Sequence, residues 1–109
     1  MMIYGLSTCS DCQKARKALE EVREDVVFRD VRADPLNEDE LATLIAEFGD
    51  RLVDRKSNDY RALNAWLKNS EAEAQIAAQP KVMARPVLHD GENWYLGWDE
   101  AVQKAVLPA

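Results

Sequence analysis

The sequence predicts a mixed α/β fold, and three observations carry this prediction. Near the start, a short apolar run gives way to apolar residues at helical spacing and then to a β-branched run. The middle of the chain is rich in helix-capping signals and apolar stripes. Near the C-terminus, two strand-like runs, "RPVLHD" and "NWYLGW", flank an Asp-Gly turn.

The segment before Arg32 has the pattern of a βαβ unit. The apolar run from Met2 to Gly5 suits a buried strand. The next apolar positions recur at helical spacing, at Cys12, Ala15, Leu19 and Val22. The run from Val26 to Val31 is β-branched and aromatic, which predicts a second strand. A strand, a helix and a strand in this order predict two parallel strands.

The middle of the chain, from about Asn37 to Gln79, is predicted to be helical. Asn37 and Glu40 have the spacing of a capping box, and Gly49 supplies a stop for the helix that follows. One face of this helix is apolar, formed by Leu41, Leu44, Ile45 and Phe48.

Two further helices are expected before Pro80. The first carries an apolar stripe from Tyr60 to Leu67, and Trp66 lies beside that stripe and is expected to join the core of this segment. Ser70 and Glu73 again have capping-box spacing and are expected to open the second helix.

A hairpin and a last helix complete the order. Asp90 and Gly91 suit a tight turn between antiparallel strands, and apolar residues then return at helical spacing from Trp98 to Val106. The order βαβ, helices, ββα is that of a thioredoxin-like domain with a helical insertion. We expect one domain over residues 1–109, with the core at about 1–34 and 81–109 and the insertion at about 35–80.

Composition excludes several classes of function. The net charge is −6 and the pI is about 4.8, so nonspecific attraction to nucleic acid or anionic lipid is not expected. No stretch reaches the roughly 18 apolar residues of a membrane span. The start, "MMIYGLSTC", lacks the basic and apolar regions of a secretory signal, and two cysteines do not make a disulfide scaffold. We therefore expect a cytoplasmic protein.

Cys9 and Cys12 are the candidate reactive residues. Cys9 lies in the predicted strand-to-helix loop, where unsatisfied backbone N–H groups and the helix dipole favour a thiolate, which is the nucleophilic form. Cys12 lies about one turn into the helix, from where it can resolve a mixed disulfide formed at Cys9. Lys14, Arg16 and Lys17 add positive charge nearby, whereas Asp11 acts in the opposite direction.

Other interpretations of the pair stay open at this point. A zinc site needs about four ligands, and besides the two cysteines only His89 is available without carboxylates, so no metal is expected. A structural disulfide across so short a loop would remove little chain entropy. Two unreactive core cysteines remain an alternative, because buried cysteine is common.

The motifs "IYGLSTCSDCQKARKAL", "RKS" and "ARPVL" together resemble the ArsC/Spx family, which includes glutaredoxin-coupled arsenate reductases, Spx-type transcription regulators and YffB-like proteins. The resemblance covers nearly the whole chain. It implies that Cys9 is the nucleophile and that Arg55 and Arg85 bind an oxyanion substrate beside it. It also implies that Pro86 is the cis-proline placed against the active-site cysteine.

The resemblance implies two alternative functions. The first is a thiol oxidoreductase that acts on a small oxyanion or thiol substrate, with glutathione or glutaredoxin as reductant and no tightly bound cofactor. Arsenate reductases of the family have a third arginine after the hairpin, where this chain has Trp98, which argues against true arsenate turnover. The second is a regulator that binds the C-terminal domain of the RNA polymerase α subunit through a Cys9–Cys12 disulfide switch, without direct nucleic-acid contact.

Overall fold

The computed structural model describes residues 1–108, which fall into two compact units. The first unit consists of Met1–Val31 and the segment from Arg85 to the C-terminus, and the second consists of Arg32–Ala84. Both cysteines, Arg85 and Pro86 therefore belong to the first unit, and Arg55 belongs to the second.

The first unit is built on a four-stranded sheet with the order β2-β1-β3-β4. Its strands are β1 (Met2–Gly5), β2 (Val27–Asp30), β3 (Val87–His89) and β4 (Trp94–Leu96). β1 pairs in parallel with β2, and β3 pairs antiparallel with both β1 and β4. The predicted βαβ unit and C-terminal hairpin are confirmed, and the fold is thioredoxin-like.

The helices of the described residues are α1 (Ser10–Glu20), α2 (Glu38–Phe48), α3 (Asn58–Arg61), α4 (Ala65–Lys68), α5 (Ala72–Ala78) and α6 (Glu100–Val106). α1 and α6 belong to the first unit, and the others to the second. Short 3₁₀ turns lie at Gly49–Leu52 and Pro80–Val82. Within residues 1–108, no helix combines the length and the apolar character that crossing a membrane requires.

Burial of aliphatic side chains holds the first unit together. Ile3 of β1 lies opposite Leu88 of β3, and Leu19 of α1 packs with them in one fully buried cluster. Full burial of one such side chain contributes roughly 1.5–3 kcal/mol. The helical spacing placed Val22 in the helix, but α1 ends at Glu20 and Val22 is 46% exposed.

The capping box at the start of α2 is confirmed. Asn37 Oδ1 accepts a hydrogen bond from the Glu40 N–H at 2.8 Å, and Glu40 Oε1 accepts one from the Asn37 N–H at 2.9 Å. Gly49 has a φ of 59° and forms the C-cap of α2, as predicted. The apolar face is buried through Leu41, Leu44 and Phe48.

The helix predicted from Tyr60 to Leu67 is instead two short helices, α3 and α4. The chain leaves the helical path after α3, and Asn64 restarts it as the N-cap of α4, accepting a hydrogen bond from the Leu67 N–H at 2.9 Å. This restart turns Trp66 outwards, where it is 73% exposed. The expectation that Trp66 joins the core was therefore wrong.

The helix predicted to open at Ser70 begins later, at Ala72, with Glu71 as N-cap. Ser70 does not cap it, because the Ser70 hydroxyl donates to the Trp66 carbonyl at 2.8 Å. Gln75 is the buried polar side chain of α5, at 2% exposure, and its Nε2 donates to the Leu67 carbonyl at 2.9 Å. This bond satisfies a carbonyl near the end of α4.

Candidate active site

Cys9 lies where the loop after β1 enters α1. It is the N-cap residue of that helix, with an extended backbone at φ −83° and ψ 124°. Its N–H donates to the Leu6 carbonyl and its carbonyl accepts from the Gln13 N–H, both at 3.0 Å. The Cys9 side chain makes no capping hydrogen bond and is partly exposed. The thiol is therefore accessible at the N-terminus of an 11-residue helix.

Two side chains hold the loop that carries Cys9. The carboxylate of Asp30, at the end of β2, accepts from the Ser7 N–H at 2.9 Å. Gln13 Nε2 donates to the Ser7 carbonyl at 2.6 Å. Sequence reasoning missed both residues. The available signal was the placement of Asp30 at the carboxyl end of a strand parallel to β1, beside the β1–α1 loop.

Cys12 faces the interior of the first unit. Its side chain is fully buried, and Cys9 lies close enough to raise the pKa of its thiol. Burial raises the pKa of the Cys12 thiol from 9.0 to about 12, because the interior disfavours a thiolate, while a hydrogen bond with the Leu6 backbone and the charge of Arg85 act in the opposite direction. Both cysteines are free thiols. The pair is therefore asymmetric, with one accessible thiol and one buried, protonated thiol.

Arg85 and Pro86 reach the cysteine pair through the pairing of β1 with β3. Tyr4 and Val87 are partners in this antiparallel register, so the two residues before β3 lie beside the end of β1. The Arg85–Pro86 peptide bond is cis, as the resemblance implied. This register places Arg85 near the start of α1, and the positive charge of Arg85 acts to lower the pKa of the Cys12 thiol.

Arg55 lies in a tight turn of the second unit. Asp54 closes this turn, because its carbonyl accepts from the Ser57 hydroxyl at 2.8 Å and its carboxylate accepts from the Lys56 N–H at 3.1 Å. The Arg55 side chain is exposed and lines a depression of about 500 Å³ together with Arg51 and Lys56. The role of Arg55 toward Cys9 stays a prediction.

His89 stacks on an aromatic side chain. Its ring stacks on Trp94 of the adjacent strand, with the centroids 3.8 Å apart and the planes at 9°. Within residues 1–108, no cluster of three His, Cys, Asp or Glu side chains is arranged to hold a metal ion.

The sheet order, the cysteine pair at the start of α1 and the cis-proline before β3 define a thioredoxin-like protein with a dithiol site. A sequence model of the ArsC family matches residues 4–106, and the chain belongs to this family. The family membership inferred from the motifs is thus confirmed.

Curated relatives include transcription regulators. The global transcriptional regulator Spx of Bacillus subtilis is 27% identical over 112 residues, covering 97% of this chain and 86% of the relative. The Spx of Streptococcus mutans is 30% identical over 109 residues, covering 93% and 78%.

Solved structures of related proteins agree with the fold along the whole chain. A YFFB protein has a TM-score of 0.86 at 29% identity, with 98% of each chain covered. An arsenate reductase (ArsC) related protein from Brucella melitensis has a TM-score of 0.73 at 28% identity, covering 95% of this chain and 91% of that one. The family thus includes relatives named for reductases and relatives named for regulation.

Proposed function

We propose that this protein is a thiol-dependent oxidoreductase in which Cys9 attacks, Cys12 resolves, and glutathione or glutaredoxin supplies the electrons. The observation that carries the proposal is the asymmetry of the two thiols. Cys9 is partly exposed at the N-terminus of α1, and Cys12 is fully buried three residues further along the same helix. Cys9 is therefore the thiol that attacks a substrate arriving from solution.

Two exchange steps describe the reaction with a disulfide substrate. The Cys9 thiolate forms a bond to one substrate sulfur, and the other sulfur leaves as a thiolate that takes a proton from solvent. Cys12 then gives up its proton to solvent and attacks Cys9 Sγ, which releases the second substrate sulfur as a thiol. The substrate gains two electrons, and two molecules of glutathione reduce the Cys9–Cys12 disulfide and become glutathione disulfide.

A small oxyanion is the second substrate class. Here the Cys9 thiolate displaces hydroxide from the oxyanion centre, and attack by a second thiol on Cys9 Sγ leaves that centre reduced by two electrons. The guanidinium of Arg85, beside the cysteine pair, stabilises the negative charge of this step, and Arg55 is proposed to assist. Since this chain has Trp98 near the place where arsenate reductases of the family have a third arginine, we expect disulfides to be better substrates than arsenate.

The proposal predicts different losses for two matched variants. Cys9→Ser removes the nucleophile, so glutathione-dependent reduction of hydroxyethyl disulfide, measured without added glutaredoxin, should fall by about 100-fold or more. Cys12→Ser keeps the first step and should accumulate a glutathione adduct on Cys9, visible by intact mass. A Cys9→Ser enzyme that retains wild-type turnover would contradict the proposal, and circular dichroism checks that both variants fold.

A regulatory role is the second candidate, and the Spx relatives, which match along nearly the whole chain, favour it. In this role the Cys9–Cys12 pair is a reversible disulfide that switches binding to the C-terminal domain of the RNA polymerase α subunit. Calorimetric titration of that purified domain with the reduced and the oxidised protein tests it. We expect the wild-type protein to bind in one redox state only, and Cys12→Ser to bind equally in both states. If the wild type binds in neither state, this candidate function is ruled out.

A further inference from the structure

β1 ends in Gly5, and this residue lies directly against Cys12. A Cβ placed on Gly5 would overlap Cys12 Sγ and would lie 3.2 Å from Cys12 Cβ. The glycines with positive φ in the described residues are Gly49, Gly91 and Gly97. The backbone of Gly5 therefore has a conformation that alanine can adopt. A side chain at position 5 is excluded by lack of space.

Neither side of this contact is free to move away. Gly5 pairs with Asp30 of β2, and its carbonyl accepts from the Val31 N–H at 2.9 Å, so β1 is held in the sheet. Cys12 is fully buried in the first turn of α1. The thiol of Cys12 thus occupies the volume that a side chain at position 5 would fill.

We propose that Gly5 is a positioning residue for the resolving attack by Cys12. Because Gly5 has no side chain, Cys12 Sγ occupies the space beside the end of β1, and this contact fixes where the sulfur lies relative to Cys9. The inference rests on the proposed function, since it assigns the geometry of the resolving attack. With alanine at position 5, Sγ must rotate away from the new methyl group. Rotation leaves the contact to Cys12 Cβ unchanged, so the start of α1 must also shift by some tenths of an ångström. Both movements change the position of Cys12 Sγ relative to Cys9, whereas the new methyl group has Cys12 and Phe28 as its nearest neighbours and does not cover Cys9.

The experiment separates the two thiol steps in Gly5→Ala. The reduced protein is mixed with glutathione disulfide, and intact mass follows the glutathione adduct of Cys9 and its conversion to the Cys9–Cys12 disulfide. We expect adduct formation within about twofold of wild type. Closure of the disulfide should slow by about tenfold or more, because a small misplacement of a reacting atom has large effects on rate. A merely destabilising change would not split the two rates in this way.

Two control variants complete the test. Ile3→Val removes a buried methylene from the same strand and should leave closure unchanged. In Cys12→Ala, the substitution Gly5→Ala should lower the melting temperature less than it does in wild type, since Sγ is gone.

Closure of Gly5→Ala at the wild-type rate would overturn the inference, as would equal destabilisation in the two backgrounds. If wild type itself forms no Cys9–Cys12 disulfide, the proposed function fails instead.

Discussion

At the scale of single residues, two chemically identical side chains acquire different properties through their positions on one helix. Cys9 is the N-cap residue of α1 and is partly exposed, whereas Cys12 belongs to the first turn and is fully buried. An interior site disfavours charge, so the buried sulfur remains a protonated thiol at neutral pH. The order of attack and resolution follows from this difference in burial.

The raised pKa of Cys12 predicts a loss of stability at high pH. The folded protein keeps a proton that the unfolded chain releases between pH 9.0 and about 12, so the free energy of unfolding falls as pH rises through this window. The slope contributed by one such group is at most about 1.4 kcal/mol per pH unit. Urea unfolding of Cys9→Ser and of Cys9→Ser/Cys12→Ala, at pH values below and within this window, measures the slope that Cys12 contributes. Equal slopes for the two variants would contradict the prediction.

At the scale of elements, similar capping signals had different outcomes. Asn37 and Glu40 formed both bonds of a capping box. Ser70 has the same spacing to Glu73, yet its hydroxyl is used by a carbonyl of the preceding helix. A capping signal therefore predicts a helix start when its side chain is free to turn toward that helix.

Removal of the cap of α2 should destabilise the protein measurably. Asn37→Ala leaves the Glu40 N–H without its acceptor, and we expect the free energy of unfolding to fall by about 1 kcal/mol. Asn58→Ala is the matched control, because Asn58 is exposed at the first position of α3 while Ser57 is the cap of that helix. Chemical denaturation compares the variants, and equal effects at both positions would show that the capping bond carries no such stability.

At the scale of the whole molecule, the chain is organised as two compact units, and the cysteine pair, Arg85 and Pro86 share one of them. More than 70 positions separate Cys9 from Arg85 along the sequence. The antiparallel pairing of β3 with β1 brings these parts of the chain together, because it places the start of β3 beside the end of β1. The placement of Arg85 and Pro86 beside the cysteine pair is thus a consequence of sheet topology. Arg55 lies on a turn of the second unit.

The sequence by itself determined the features that depend on local signals. The change of hydrophobic period predicted β1, α1 and β2 in order, and the Asp90–Gly91 pair predicted the hairpin. Asn37, Glu40 and Gly49 predicted both ends of α2. The cysteine spacing located the candidate nucleophile and its partner. Each of these signals acts within a few residues, where backbone preference and side-chain capping are decisive.

Only the tertiary structure decided which of these residues meet and which face solvent. Within one predicted helix of the second unit, Leu63 is buried whereas Trp66 is 73% exposed. The contact of Gly5 with Cys12, which limits the space around the buried thiol, joins a strand and a helix. Local sequence carries no information about such contacts, because burial and pKa are set by groups that approach from distant parts of the chain.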